Sequence, residues 1–503
     1  MGSIRFLLLD GTTVANAQII FWARCWGLCL LLSFVACSDD VQGSLRLLLT
    51  PPHEGRNPTL DPFTLVDEVE IGVLNESDVF HSLGRFPPLA RFGPDLLGSL
   101  RTGFPYLLGL DNRSRLLAAG FGPAFGPLAG ADRFITLPFA PIDTAIARRV
   151  SQATVIQADP FADIPPAFFI DQRHLERGVI ENAADLSALA FVLWQKDRLH
   201  LRVRVIDDLV LPAVEAAQLD SGDAVRIYFD GNVLTAAADG TLELPDGVSE
   251  ATLAEVPQGG YQLDVVWPAS PPGKNRTLPF NLRIYDHDGG EDMPSVATWS
   301  FNPSRAVEEL GPDDFGHLLL AVPLLEVLRF SGPSVRFPAA DGQATVDGFW
   351  GESALTLRVQ VPDQEVRNES TGVDFSGADR VEIWLDLGNG LSPVAEPARF
   401  QHFVVTAGSG TSQARGSALG DLTEFNFTGT AAGSKTGSGY EVSLTLPWSD
   451  LELNAATAQR GWFFGLEIRV VDEDEGETAT YTWSDVEELD PQFWSEIRLF
   501  SLE

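Results

Sequence analysis

Carboxylates crowd two short glycine-containing turns. Asp286, Asp288, Glu291 and Asp292 occupy one, and Asp472, Glu473, Asp474, Glu475 and Glu477 occupy the other. Alternating carboxylates gather hard oxygen ligands, and Ca²⁺ takes about six to eight oxygens, so Asp286, Asp288, Asp472 and Asp474 are the candidate Ca²⁺ ligands. Neither turn fits the twelve-residue EF-hand register, because the closing Glu and the central Gly are not both in place. A solvated acidic hairpin tip explains each turn equally well.

Other chemistries lack their residues. The seven His are scattered, with no His-Glu-x-x-His, no Cys pair in the body of the chain and no Gly-x-Ser-x-Gly. Zinc hydrolysis and nucleophile-elbow catalysis are therefore without signatures. Asp286-His287-Asp288 is a ligand trio on paper, but a single His on a turn is more often solvated. A glycosidase needs two placed carboxylates, and seventy acidic residues single out no pair. Haem would have to rely on Met293, since the body carries no Cys-x-x-Cys-His attachment site. The expectation is a protein that binds and does not catalyse. A net charge of −36 and a pI near 4.4 repel phosphate and anionic head groups, so nucleic acid is not a partner.

Cys25, Cys29 and Cys37 all lie in the first 37 residues, so no disulfide staples the body. Arg24 followed by the apolar run Cys25 to Ala36 reads as a cleaved export signal, too short to span a bilayer. Phe34-Val35-Ala36-Cys37 resembles the lipobox of bacterial lipoproteins. By that resemblance Cys37 carries the lipids, with more than one acyl chain making a stable membrane anchor. Ser38 after the cysteine points to the outer membrane of a Gram-negative cell envelope, by that same resemblance.

The elements that would position any site are strands, and they come twice. Leu199, Leu201, Val203 and Val205 alternate with His200, Arg202 and Arg204, the period-two pattern of a half-buried strand. That strand starts at Leu199, five residues after Trp194, and ends at Asp207; a second starts at Leu355, five after Trp350, and ends at Asp363. The order continues through Gly222 to Asp230 against Gly377 to Asp386, and Gly260 to Pro268 against Gly439 to Pro447. Leu282 to Gly290 then matches Ile468 to Gly476, and Ala297 to Ser300 matches Tyr481 to Ser484. A period of roughly 160 to 170 residues is a tandem domain duplication and not a solenoid.

The fold class that follows is all-β: a small N-terminal Ig-like β domain, then two tandem β-sandwiches. The divisions are a lipoprotein signal peptide over 1–37, a tether over 38–43, the small β domain over 44–143 and a connector over 144–162. The sandwiches span 163–328 and 333–503. Asp111-Asn112 with Ser114 marks a hairpin turn in the small domain.

Taken in order, the strand tryptophans, the Asp-x-Val-x-Ile-aromatic-x-Asp strands from Asp223 and Asp379, the Gly-Tyr strands ending in Pro and the Thr-Trp-Ser strands resemble the family 9 carbohydrate-binding modules and their DOMON-like β-sandwich superfamily. The resemblance implies sugar recognition, often in proteins that degrade polysaccharides. Sugar-binding members clamp their ligand between two tryptophans, and those positions here fall near Asp220 and Ser376, and near Glu309 and Glu488. None is aromatic, but Phe375 and Trp494 lie close by in the second repeat and are its carbohydrate-binding candidates. Trp194, Trp299, Trp350, Trp384 and Trp483 sit on strand motifs and read as core. The function expected is a lipid-anchored envelope protein holding a polysaccharide or glycan, linked to carbohydrate catabolism. The alternative is an envelope scaffold or protein-interaction lipoprotein whose sandwiches no longer bind sugar.

Overall fold

A computed structural model describes residues 5–6, 31–36, 43–50, 66–75, 80–87, 103–123, 133–149, 159–161, 164–183, 185–211, 222–248, 250–256, 259–269, 277–287, 294–300, 315–321, 324–328, 334–339, 341–368, 374–375, 377–387, 400–407, 413–417, 423–424, 429–451, 463–474, 477–484 and 495–500. Nearly all of the regular structure in them is strand, as the alternation of apolar and polar residues requires. The chain forms two compact units, residues 1–148 with 158–321, and residues 149–157 with 322–503.

In the second unit the strands run 423–424, 413–417, 400–406, 380–386, 463–474, 495–500, 324–328, 342–350, 354–362, 439–447 and 430–436 across one sheet. The sheet folds over on itself. Val346, Leu357, Val359, Val442 and Leu444 from one half pack against Val381, Ile383, Phe403, Leu466 and Ile468 from the other, all buried. These are the alternate residues of their strands, so the period-two pattern decides which side becomes the core.

The first unit repeats this order, with 224–229 beside 277–286, then 316–321, 144–149, 186–194, 198–207, 261–268 and 250–255. Register repeats as well. Trp194 pairs with Leu199, and Trp350 pairs with Leu355. Two differences from the sequence reading concern the joints. Thr144–Arg149, inside the expected connector, is a strand running parallel to Gly316–Ala321 within the first sandwich. Leu324–Leu328, expected to close the first sandwich, instead runs parallel to Ser495–Phe500 in the second. Each sandwich thus starts with a short strand against its own last one. Such a pairing is set by a partner more than a hundred residues away, and no local pattern announces it.

The small N-terminal domain is a five-stranded antiparallel sheet in the order 80–86, 68–74, 104–110, 116–121 and 140–141. Its central hairpin turns where expected: the Asp111 carboxylate accepts from the backbone N–H groups of Arg113 and Arg115, each at 2.8 Å. Phe80 and Phe121 lie 5.1 and 6.0 Å from Phe169 of the first sandwich, ring to ring. Leu31–Ala36 and Gly43–Thr50 pair antiparallel in a separate small sheet, and Cys37 lies outside the described residues.

Of the repeated glycines, Gly260 and Gly439 have φ of +93° and +143°. A Cβ on either would meet the carbonyl oxygen of Val205 or Val361, at 2.1 and 2.0 Å. Backbone approach requires glycine here twice over. Gly439→Ala is expected to cost about 2–3 kcal/mol from combined strain and clash, seen as a lower melting temperature, whereas Gly437→Ala, with open space around its Cβ, should cost less than about 1 kcal/mol.

Candidate functional site

The acidic turns do not stand alone. Asp286 ends its strand buried beside Asp207 and Asp223, with ligand oxygens of the three within 4.8 Å of one another. In the second sandwich Asp472 and Asp474 meet Asp363 within the same limit. The members come from the ends of separate strands: 198–207, the start of 224–229 and 277–286 in one sandwich, and 354–362 and 463–474 in the other. Asp288 lies outside the described residues.

The surroundings are duplicated in detail. Asp207 accepts from Leu209 N–H at 2.9 Å, and Asp363 accepts from Glu365 N–H at 2.7 Å. Asp223 accepts from the backbone N–H groups of Leu211 and His287, bridging two loops. Asp379, its counterpart, accepts from Arg367 and Glu473 N–H in the same way. Asp223 and Asp379 are fully buried, and each spends both oxygens on backbone. They are clamps.

The remaining oxygens of the second cluster are differently placed. Asp363 Oδ2, Asp472 Oδ1 and Asp474 Oδ1 are buried without hydrogen-bond partners, and so is the Tyr440 hydroxyl, on a residue only 1% exposed. Tyr440 lies in the field of Asp379, Asp363 and Asp472, and burial together with those charges raises its pKa well above the usual phenol value. Burial, then the neighbouring carboxylates, pushes Asp363 up to about 7 and Asp472 up to about 6. Convergent buried carboxylates this unsatisfied call for protons or a hard cation. Tyr261 stands at the matching place in the first sandwich, with its hydroxyl likewise buried and unpartnered.

A second cluster lies on the face of the second sandwich turned away from the core. Trp384 and His402, cross-strand partners, stack at 4.2 Å with planes 9° apart, and the Arg469 guanidinium sits 4.8 Å from the Trp384 ring centre. Glu382 shares this face and pairs with Arg380 at 2.8 Å. Its other oxygen is 3.8 Å from His402 Nε2. Burial and the nearby Arg469 charge hold His402 down to about 3, so its ring is neutral. Phe375 packs on Val404 at the border of the same face, only 7% exposed, while Trp494 lies outside the described residues. Trp350 and Trp483 belong to the core between the two halves of the sheet, and Trp384, on the other side of its strand, is buried as well at 2% exposed. Its alternation with Ile383 and Leu385 puts it on the opposite side of the strand from them.

Beside Trp384 on the same side of the sheet, its ladder partner Glu467 is fully buried and accepts from the Ser484 hydroxyl and backbone N–H. Burial pushes it up to about 7. The matching residue of the first sandwich is Asn281, which accepts from Ser300 N–H at 3.2 Å. A carboxylic acid raised on folding is favoured when protonated, so its contribution to stability is present at low pH and is lost as pH rises from about 4 to about 7. Glu467→Gln copies the amide of the first sandwich. Its melting temperature should exceed that of the parent at pH 8, and the gap should close by pH 5, read by calorimetry.

No curated protein matches the chain. Among solved structures it is similar to a carbohydrate binding module family 9 from Caldicellulosiruptor kristjanssonii in complex with cellotriose, at 17% identity over 36% of this chain and 95% of that one, with a TM-score of 0.29. A carbohydrate binding module family 9 from the same organism in complex with glucose matches at 19% identity over 34% of this chain and 83% of that one, with a TM-score of 0.27. Residues 333–501, the second sandwich, match the family model for the carbohydrate family 9 binding domain-like domain.

Proposed function

We propose that this chain is a non-catalytic carbohydrate-binding protein whose second sandwich holds the sugar. The observation that carries the reading is the family match over residues 333–501. The outer face of that sandwich supplies suitable chemistry. Glu382, Arg380 and Arg469 offer charged hydrogen-bonding groups for the hydroxyls of a pyranose, while the Trp384 indole, only 2% exposed beneath His402 and Arg469, packs these groups and is no open platform. Phe375 borders the face and serves as packing for it more than as an open platform. The first sandwich is its tandem partner, adding avidity where both bind. Cys37 carries the lipid that keeps the pair at the envelope, and glycan capture there would feed carbohydrate breakdown.

In this reading the acidic clusters hold Ca²⁺ through Asp207 and Asp286 in the first sandwich, and through Asp363, Asp472 and Asp474 in the second. The unpartnered Tyr440 hydroxyl and carboxylate oxygens of the second cluster favour it. A bound ion would tie together the strand ends that also frame the outer face.

Three outcomes are expected. Titration of the full chain with glucose and cello-oligosaccharides should give measurable heat, and Glu382→Gln should weaken it at least tenfold without lowering the melting temperature; no sugar response on a glycan array would favour the scaffold reading instead. Adding Ca²⁺ to chelator-stripped protein should raise the melting temperature, by an amount equivalent to about 2.7 kcal/mol at a hundredfold excess over Kd, and Asp363→Asn should remove most of that rise. Cys37→Ser should release the protein from membranes into the soluble fraction, and an unchanged distribution would sink the anchor.

A further inference from the structure

The outer face of the first sandwich occupies the same place in the sheet but carries the opposite charge. Register fixes the comparison. Arg226 lies across from Arg283, as Glu382 lies across from Arg469. Tyr228 stands where the second sandwich has Trp384, and Val233, across from Tyr228, stands where His402 stacks on that indole. The strongest charge change between the two copies is therefore Glu382 against Arg226.

Arg283 is satisfied: it donates to both oxygens of Glu176, at 3.3 and 3.0 Å, and to the Thr298 hydroxyl at 3.0 Å. Arg226 is not. Its guanidinium lies 5.8 Å from the Tyr285 ring centre and bonds to the Tyr228 hydroxyl, and among the described residues no carboxylate pairs with it. Its Nε–H is buried without a partner. In a chain of net charge −36, leaving an arginine on a tyrosine-lined face without an acid is unusual, because a partly desolvated guanidinium is costly until an anion meets it. Tyr228 packs on Phe315, 5.7 Å ring to ring, and is only 8% exposed, whereas Val233 is 41% exposed, so solvent reaches the face at its Val233 end.

We infer that the outer face of the first sandwich binds an acidic sugar, with Arg226 receiving the carboxylate of a uronate unit whose ring enters at the exposed Val233 end. A guanidinium matches a carboxylate with two parallel N–H donors, which a neutral hydroxymethyl group cannot reciprocate. The two sandwiches then select different units of one mixed polysaccharide, a neutral one at Glu382 and an acidic one at Arg226. The inference rests on the reading of both sandwiches as sugar-binding modules.

The test uses the full chain and calorimetric titration with cellobiouronic acid, its methyl ester and cellobiose. The free acid should bind at least tenfold more tightly than the ester. Arg226→Gln should erase that preference while leaving cellobiose affinity unchanged, and Glu382→Gln should do the reverse. Equal affinity for acid and ester in the unaltered protein overturns the inference without any variant having to fold, as does an Arg226→Gln protein that keeps the preference. Binding of cellobiose alone overturns it and leaves the carbohydrate reading standing; binding of none of the three overturns both.

Discussion

A single buried carboxylate at the start of a strand organises each sandwich. Asp379 takes backbone N–H groups from the loop after one strand and from the end of another, and Asp223 does so in the first copy. Hydrogen bonds to a charged group contribute about 1.5–3 kcal/mol each, so two of them fix loop ends that hydrophobic packing alone would leave loose. The neighbouring aspartates converge because their strand ends are held there. Gly260 and Gly439 permit the close backbone approach beside them. Acid clusters, outer face and loop positions all depend on that clamp.

The two sandwiches share the clamp and differ in what surrounds it. Core positions stay apolar in both copies, with Phe280 matching Leu466 and Phe229 matching Leu385, while on the outer face Asn281 matches Glu467, Arg226 matches Glu382, and Val233 matches His402. Such substitutions leave the ladder hydrogen bonds untouched, since those are made by backbone. A sheet can therefore change the sign of its outer surface without changing its register. The two copies share a scaffold and differ in the groups they turn outward.

The acidic turns show what a sequence can and cannot place. Asp286, Asp472 and Asp474 were visible as a local run, but their companions Asp207 and Asp363 end strands that are far away in the chain and look like ordinary turn residues. Only the repeat itself hinted that these aspartates matter, since they recur at the same distance from Trp194 and Trp350. Trp384 was equally hidden. Ile383 and Leu385 face the core, and Trp384, on the other side of the strand, is buried too because His402 and Arg469 cover it, which no local pattern states.

The sequence by itself determined the strands, the duplication, the fold class and the residues each copy must bury, because period-two patterning and turn chemistry act over a few residues. Tertiary structure decided the rest. Which strand opens each sandwich, which aspartates meet and which charges share a face depend on pairings between segments far apart in the chain. Their energies come from burial and from ladder bonds that any backbone can make. A local pattern states that a residue faces one side of a strand; only the closed sheet states what faces it.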